Sequence, residues 1–408
     1  MKKSIVKSST KLMGIIALSA TLFASCSSDN NNDGENTTTP VVIDPSNFTG
    51  SIEKGQEVTL DATKTYILTG KIVVKDGGVL TIPAGTVIEG TKGTASYIAV
   101  SQGGKINVNG TAAKPVIMTS GLAKKAAGDW GGLVICGKAT INRDNGKTAT
   151  ATSEVAELIY GGTTDNDNSG SITFLRIEYA GAAYNSEKEF NGISFFGVGS
   201  GTKVENVQAI QGADDGFEFF GGTVNTSNMI SIGNEDDQFD WTEGWRGTNT
   251  NWYGRLDFGK GNRGIEADNF EFGYAFAPIA NPSITNLTLV GPGSTAATAN
   301  FAENQAIKLR RGTKAIFKNV VLSAWATGFD VENDETIAFV GTALKASDVF
   351  FGADIATTTK GKKTAVAPAT SGLSADVAAI VANVLPTATG AGNGLGQPTW
   401  AKGWSIGF

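Results

Sequence analysis

NVQAIQGADDGFEFFGG (residues 206–222) aligns without gaps on NMISIGNEDDQFDWTEG (residues 228–244), at a spacing of 22 residues. The match pairs Asn206 with Asn228, Ile210 with Ile232, Asp214-Asp215 with Asp236-Asp237, Phe217 with Phe239 and Phe219 with Trp241. A fixed period in this range marks a solenoid, in which each repeat is one coil that cannot bury its apolar face alone. The pattern predicts an all-β right-handed parallel β-helix with coils of about 22 residues.

Each coil carries an apolar–polar–apolar triad: Ile193-Ser194-Phe195, Phe217-Glu218-Phe219, Phe239-Asp240-Trp241, Ile265-Glu266-Ala267, Ile307-Lys308-Leu309 and Phe329-Asp330-Val331. Period-two alternation sends the outer members inward and the middle member to the surface. A second strand family opens with asparagine, at Asn206-Val207, Asn228-Met229, Asn286-Leu287 and Asn319-Val320. Asparagines stacked at a bend can bond to one another along the axis and hold the corner of the coil.

The outward column then reads Ser194, Glu218, Asp240, Glu266, Lys308, Asp330. Parallel coils stack ~4.8 Å apart. Unit charges at that spacing repel by roughly 1 kcal/mol in water and roughly 3.5 kcal/mol at an effective dielectric of 20. From Glu205 to Glu243 there are nine acids and no Lys or Arg. The balancing charge has to come from Arg246, Arg255, Arg263 or Lys308, or from a bound metal. Oxygen-only ligands favour calcium among metals. Asp214, Asp215, Glu218, Asp236, Asp237 and Asp240 are the candidate metal ligands. The competing reading is that these acids cap turns and stay solvated. Aromatics crowd the same region: Trp241 aligns with Phe219 and reads as core, whereas Trp245, Trp252 and Tyr253 fall in a Gly/Asn-rich stretch and are the candidate ligand-binding rings.

Composition narrows the function. The chain has 408 residues with 53 glycines and 10 prolines, which argues short strands and turns. It contains no histidine, which removes His-based triads and His-ligated zinc. Its formal charge is −6, and discounting the four lysines of the first 25 residues leaves about −10. That disfavours nucleic acid as a partner. Of the two cysteines, Cys136 lies in an apolar run and reads as a buried small hydrophobe.

Residues 1–25 start with Lys2, Lys3, Lys7 and Lys11, and LMGIIALSATLFA follows as an apolar run of signal-peptide length. The run ends in LFASC, which resembles a bacterial lipobox; the resemblance implies cleavage before Cys26, acylation of Cys26 and a membrane anchor. Residues 26–40 are polar and acidic and read as a disordered tether. An acidic stretch after a lipid-bearing cysteine resembles the surface-export signal of Bacteroidetes lipoproteins, which implies an outer-membrane location facing the exterior; the alternative is an inner-leaflet, periplasm-facing lipoprotein. Residues 41–352 are expected to form the β-helix, with residues 143–170 as a long surface loop. Residues 353–408 are expected to cap it, with a helix over residues 374–385 that Ser374 caps and Pro386 ends. Trp400, Trp404 and Phe408 are placed to pack back along the coil.

GTVIEG, GGKINVNGTAAKPVIMTS, GDWGGLVICGKATIN, LRIEYAG, DDGFEFFGGTVN and EDDQFDW resemble a family of Bacteroidetes surface lipoproteins predicted to be right-handed parallel β-helices, over roughly residues 58–330. That family carries no settled activity. Asp214-Asp215 resembles the paired acids of polygalacturonase-like sites, and IKLRR (residues 307–311) resembles their basic motif, but the histidine of such sites is absent here. The expectation is a lipid-anchored cell-surface protein with a binding or structural role towards glycans. The alternatives are a calcium-dependent polysaccharide lyase and an adhesin or coat protein without a small-ligand site. An enzyme predicts a groove with a basic residue beside the acids; a binder predicts exposed Trp245 and Trp252.

Overall fold

The computed structural model describes residues 43–147, 149–185, 188–256 and 259–408. Cys26, the tether and the signal segment lie outside the described residues. Among those described, no helix is long and apolar enough to cross a membrane.

The chain winds into a parallel β-helix. One ladder carries the outward column and stacks Trp130–Cys136, Ile193–Phe196, Phe217–Phe220, Phe239–Thr242, Ile265–Asp268, Gln305–Arg310, Thr327–Glu332 and Thr357–Lys362 in parallel. Its register sets Ser194, Glu218, Asp240, Glu266, Lys308, Asp330 and Lys360 side by side. The flanking Phe217, Phe219, Phe239, Trp241, Ile307, Leu309, Phe329 and Val331 point inward and are fully buried. The column expected from alternation is therefore present, and it continues one coil past the expected boundary at residue 352.

The second ladder runs from Lys105–Asn109 through Gly170–Glu178, Lys203–Ile210, Asn225–Ile232, Thr248–Arg255, Ser283–Val290 and Ala315–Ser323 to Leu344–Phe351. In the early coils a third ladder is separate. It merges at Gly170–Glu178, which pairs with Lys105–Asn109 through its first half and with Val116–Ser120 through its second. From there on one long strand turns the corner, and the residue at the bend is left-handed: Phe174, then Asn206, Asn228, Asn251, Asn286 and Asn319, with φ between 49° and 63°. Asparagine tolerates that region better than other non-glycine residues. From Asn228 on, each Asn Nδ2 donates to the Oδ1 of the preceding asparagine, at 2.9 Å for Asn228–Asn206 and 2.8 Å for Asn251–Asn228, Asn286–Asn251 and Asn319–Asn286. Successive members are 22, 23, 35 and 33 residues apart, so loops lengthen the later coils while the corner stays fixed.

Residues 143–160 do not simply leave the solenoid. They form a short antiparallel pair, Ala151–Thr152 with Ile159–Tyr160. They also close a second apolar cluster, in which Val155 and Tyr160 pack with Ile141, Phe196, Phe220 and Cys136. This cover explains why Trp130–Cys136 is buried on both faces. Burial pushes the Cys136 thiol up to about 12 and makes it inert, as the apolar run implied.

The expected helix over residues 374–385 is not formed. Ser374–Ala375 pairs antiparallel with residues 361–362, Ala378–Ile380 makes one 3-10 turn, and Val381 and Val384 bridge to Ala346 and Val349. Val377 and Ile380 sit in the main core, so the segment still closes the last coil. Open strand edges compete for this backbone more strongly than the local helix signal does. The terminal residues then run back along the second ladder. Asn319 Oδ1 accepts from Thr389, the Tyr253 hydroxyl donates to the Leu395 carbonyl, and Gln208 exchanges bonds with Ile406. Trp404 is buried there with Ile210, Ile230 and Ile232.

Candidate functional site

The three candidate ligand-binding aromatics are core residues, which corrects the expectation. Trp245, Trp252 and Tyr253 have no exposed surface. Trp252 and Tyr253 belong to the strand Thr248–Arg255, where Trp252 follows Asn251 of the corner ladder and points inward. Trp245 stacks on Phe219 at 4.1 Å between ring centroids, and Trp252 stacks on Phe239 at 4.3 Å. Their indole N–H groups are satisfied inside, by the Val224 carbonyl and the Thr226 hydroxyl. Tyr253 faces outward but lies under the C-terminal segment, 5.0 Å from the Phe408 ring. None of the three offers a face to a sugar. The fixed Asn–apolar pattern at Asn251-Trp252 was the signal that could have placed Trp252 in the core.

The acids behave differently. The column is largely covered: Glu266, Lys308 and Asp330 are buried, and Glu218 and Asp240 are half-buried. Glu218 and Asp240 open into a cleft of 380 Å³ whose lining also includes Arg143, Glu154, Glu243, Glu266, Asp268, Glu271, Phe272, Arg310 and Arg311. A second hollow of 580 Å³ continues from it and shares Arg143, Phe270 and Phe272. Phe272 is 75 % exposed and is the open aromatic ring of this face.

Three elements build the cleft. The column strands supply its floor. The insertion brings Arg143 and Glu154 over that floor and is pinned by Glu243, which is 2 % exposed. Glu243 accepts from Arg143 Nε at 2.7 Å and from the Tyr160 hydroxyl at 2.7 Å. The loop after Ile265–Asp268 supplies Phe270 and Phe272, with the Arg143 guanidinium 5.9 Å from the Phe270 ring.

Cations meet only part of the acidic stretch. Arg263 lies 3.2 Å from Asp237 and 2.5 Å from Glu266. Arg310 pairs with Glu266 and, at 2.7 Å, with Asp268, while Arg311 lies 2.7 Å from the other Asp268 oxygen. Lys308 pairs with Asp330 at 3.2 Å and Glu332 at 2.8 Å. Of the expected cations, then, Arg263 reaches the acidic stretch and Lys308 serves the column further on. Arg246 pairs instead with Asp165, and Arg255 donates to the Gly407 carbonyl. Asp237, expected from sequence as a metal ligand, is paired with Arg263, yet burial and Asp236 still push its carboxyl well above the usual carboxylate range.

Asp214, Asp215, Glu218, Asp236 and Asp240 have no Lys or Arg nitrogen within 4.0 Å among the described residues. Burial, reinforced by neighbouring acids, pushes the carboxyls of Asp214, Asp215, Glu218 and Asp240 well above the usual carboxylate range. Burial also raises Asp236, against the opposing Asn262 hydrogen bond and Arg263 charge. Glu154 is pushed to about 7 by burial and by Glu243. For Arg310, burial is outweighed by Asp268 and Glu266, which hold the guanidinium charged. Sequence reading missed Glu154 and Arg143, because nothing in a polar insertion marks which of its residues fold back on the column. Arg310 and Arg311 stand out in the sequence as a basic motif, but nothing local to it places them against the acids.

These features define a parallel β-helix with a charged, half-covered cleft on one face. The chain belongs to the pectate-lyase-like β-helix domain family, whose model matches residues 50–405. No curated protein matches the chain. Among solved structures, the crystal structure of the pre-mature bacteriophage phi29 gene product 12 matches at 12 % identity over 71 % of this chain, with a TM-score of 0.28. The chain spans 47 % of that structure's length, and a likeness of that degree describes neither fold nor function.

Proposed function

We propose that the chain is a lipid-anchored β-helix protein displayed at the outer surface of a bacterium, and that the cleft between the insertion and the column binds glycans. The observation that carries the reading is the cleft's lining. It combines an exposed Phe272 ring, which can stack on a sugar face, with carboxylates and guanidiniums that accept from and donate to hydroxyls. Seven carboxylates face three arginines in that lining, so the bare cleft favours neutral sugars over uronates. The family of pectate-lyase-like β-helices supports a glycan-related role at the level of fold. The anchor and the address rest on the LFASC motif at Cys26 and the acidic tether behind it.

One observation favours the lyase as a second reading: basic residues, Arg310 and Arg311, stand beside the acids of the groove. Both are engaged in ion pairs, Arg310 with Glu266 and Asp268 and Arg311 with Asp268, which suits substrate binding better than proton abstraction.

Titration calorimetry of the full chain against neutral and acidic polysaccharides tests both readings. Binding to a neutral glycan that falls about tenfold in Phe272→Ala, with the fold retained, is the expected result. Binding unchanged in that variant, or no glycan bound at all, overturns the cleft as the site. Appearance of an ultraviolet-absorbing unsaturated product from a uronate polymer moves the assignment to the lyase. Metabolic labelling with a palmitate analogue tests the anchor: label should be lost in Cys26→Ala.

A further inference from the structure

The 580 Å³ hollow beside the cleft differs from it in chemistry. Phe270, Phe272, Phe276 and Ala151 wall it, with Thr150 and Thr152 beside them. The rings form a corner and not a flat platform. Phe270 and Phe272 meet at 5.5 Å between centroids and 75° between planes, while Phe270 and Phe276 lie 5.8 Å apart at 29°. Phe272 keeps 75 % of its surface open. A phenyl ring held out in water is unfavourable, so an exposed ring at the mouth of an apolar hollow points to an occupant.

The corner is built before any ligand arrives. Asn142, at the base of the insertion, and Asn269, at the start of the ring-bearing loop, are both fully buried. Asn142 Nδ2 donates to Asn269 Oδ1 at 2.8 Å. Asn269 Nδ2 in turn donates to the Tyr274 and Phe276 carbonyls at 3.1 and 2.9 Å, which fixes the path of the loop. The Ala277 N–H donates to Asn145 Oδ1 at 2.8 Å and ties the two walls a second time. The Phe276 ring lies directly against Gly273, where any side chain would collide with it. Walls stapled in this way lose little freedom when something binds between them.

We propose that the hollow receives an aromatic group carried by the bound sugar, as an aryl ester or an aryl glycoside. The inference rests on the reading of the cleft as a glycan site and names the class of glycan it takes. The hollow and the cleft share Arg143, Phe270 and Phe272, so a substituent on a sugar seated in the cleft reaches the hollow directly. A planar ring can stack on one wall of the corner and meet the other edge-on, the two arrangements aromatic groups prefer. A bare pyranose in the same corner would turn rim hydroxyls towards a phenyl wall and leave them unpaired. At the shared border the Arg143 guanidinium, 5.9 Å from the Phe270 ring, can donate to the oxygen that links sugar and aryl group.

Titration calorimetry of the full chain with phenyl and methyl glycosides of the same neutral hexoses tests it. The phenyl glycoside of a sugar that binds should bind about tenfold more tightly than its methyl counterpart. Thr152→Trp places an indole in the hollow from an exposed position and should erase that preference while the far-ultraviolet circular dichroism stays as it was. Thr150→Trp, also exposed and also in the lining, should do the same. Lys64→Ala, in an exposed pair of the first coils, should leave the ratio unchanged. Equal affinity for the two glycosides overturns the inference, as does a preference that survives both tryptophan variants. A dimer in sedimentation velocity that Thr152→Trp dissolves would give the hollow to a second copy of the chain and overturn it too. Methyl glycoside binding without a phenyl preference sinks this inference alone, whereas binding of neither glycoside sinks the glycan reading of the cleft along with it.

Discussion

Glu266, Lys308, Asp330 and Lys360 follow one another on adjacent coils with alternating sign, whereas Glu218 and Asp240, on the coils just before, meet as like charges. The backbone under both stretches is the same parallel ladder over the same fully buried apolar core. Only the side chains facing outward differ. In the alternating stretch Glu266 and Asp330 each have lysine or arginine partners. In the acidic stretch no lysine or arginine among the described residues reaches Glu218 or Asp240, and this is where the cleft opens. A solenoid stacks equivalent positions whatever they carry, so a like-charged stack persists only if something outside the column neutralises it.

The largest effect should come from breaking the alternating half. Lys308→Met leaves the fully buried Asp330 with Lys360 as its one remaining partner and frees Glu332. A loss of ~3–5 kcal/mol is expected, read from the denaturant midpoint. A midpoint that does not move would mean that Lys360 alone balances Asp330.

One apolar core lies under both halves. Trp252→Ala should remove ~3–5 kcal/mol by opening a cavity between Phe239 and Phe219. A ligand-binding Trp252 would instead lose affinity with stability intact.

The acidic half should answer with the opposite sign. Glu218→Gln/Asp240→Asn should stabilise the metal-free chain at neutral pH by ~1–3 kcal/mol, the range for like charges at coil spacing. Destabilisation of the metal-free chain would show that these acids are already balanced.

Acidity offers a further test. The raised acids of this half have folded values above their unfolded ones. Their contribution to stability is full below the unfolded value, 4.5 for Glu154, and is lost as pH rises through the folded value, about 7 for Glu154. The metal-free chain should therefore melt higher at pH 5 than at pH 7. Glu303 and Glu332, where burial is outweighed by Arg263 and Lys308, are held low and begin to cost stability only as pH falls below 4.5. A melting temperature that falls steadily from pH 7 to pH 5 would contradict the division of the column.

The smallest effect belongs to the corner both halves share. Asn228→Ala should lose about 2 kcal/mol, from two ladder hydrogen bonds and a left-handed backbone, whereas Asn228→Gly keeps the backbone free of strain and should lose less. Equal losses in the two variants would mean that the hydrogen bonds carry the whole effect.

The coil period, the inward triads, the order of the outward column and four of the five asparagines of the corner are legible in the residues alone. These are local repeats, and a solenoid brings equivalent positions together without needing distant partners. Asn251 carried the same signal in front of Trp252, masked by the Gly/Asn-rich stretch around it. Which acids are paired and which rings are covered depends on contacts between distant segments. Arg263 and Arg310 reach the column from later coils, and Arg143 and Glu154 reach it from an insertion whose path no period constrains. Tyr253 is hidden by residues near the end of the chain, more than a hundred positions away. Neutralisation and burial depend on three-dimensional approach between segments of unequal spacing, and spacing along the chain does not encode it.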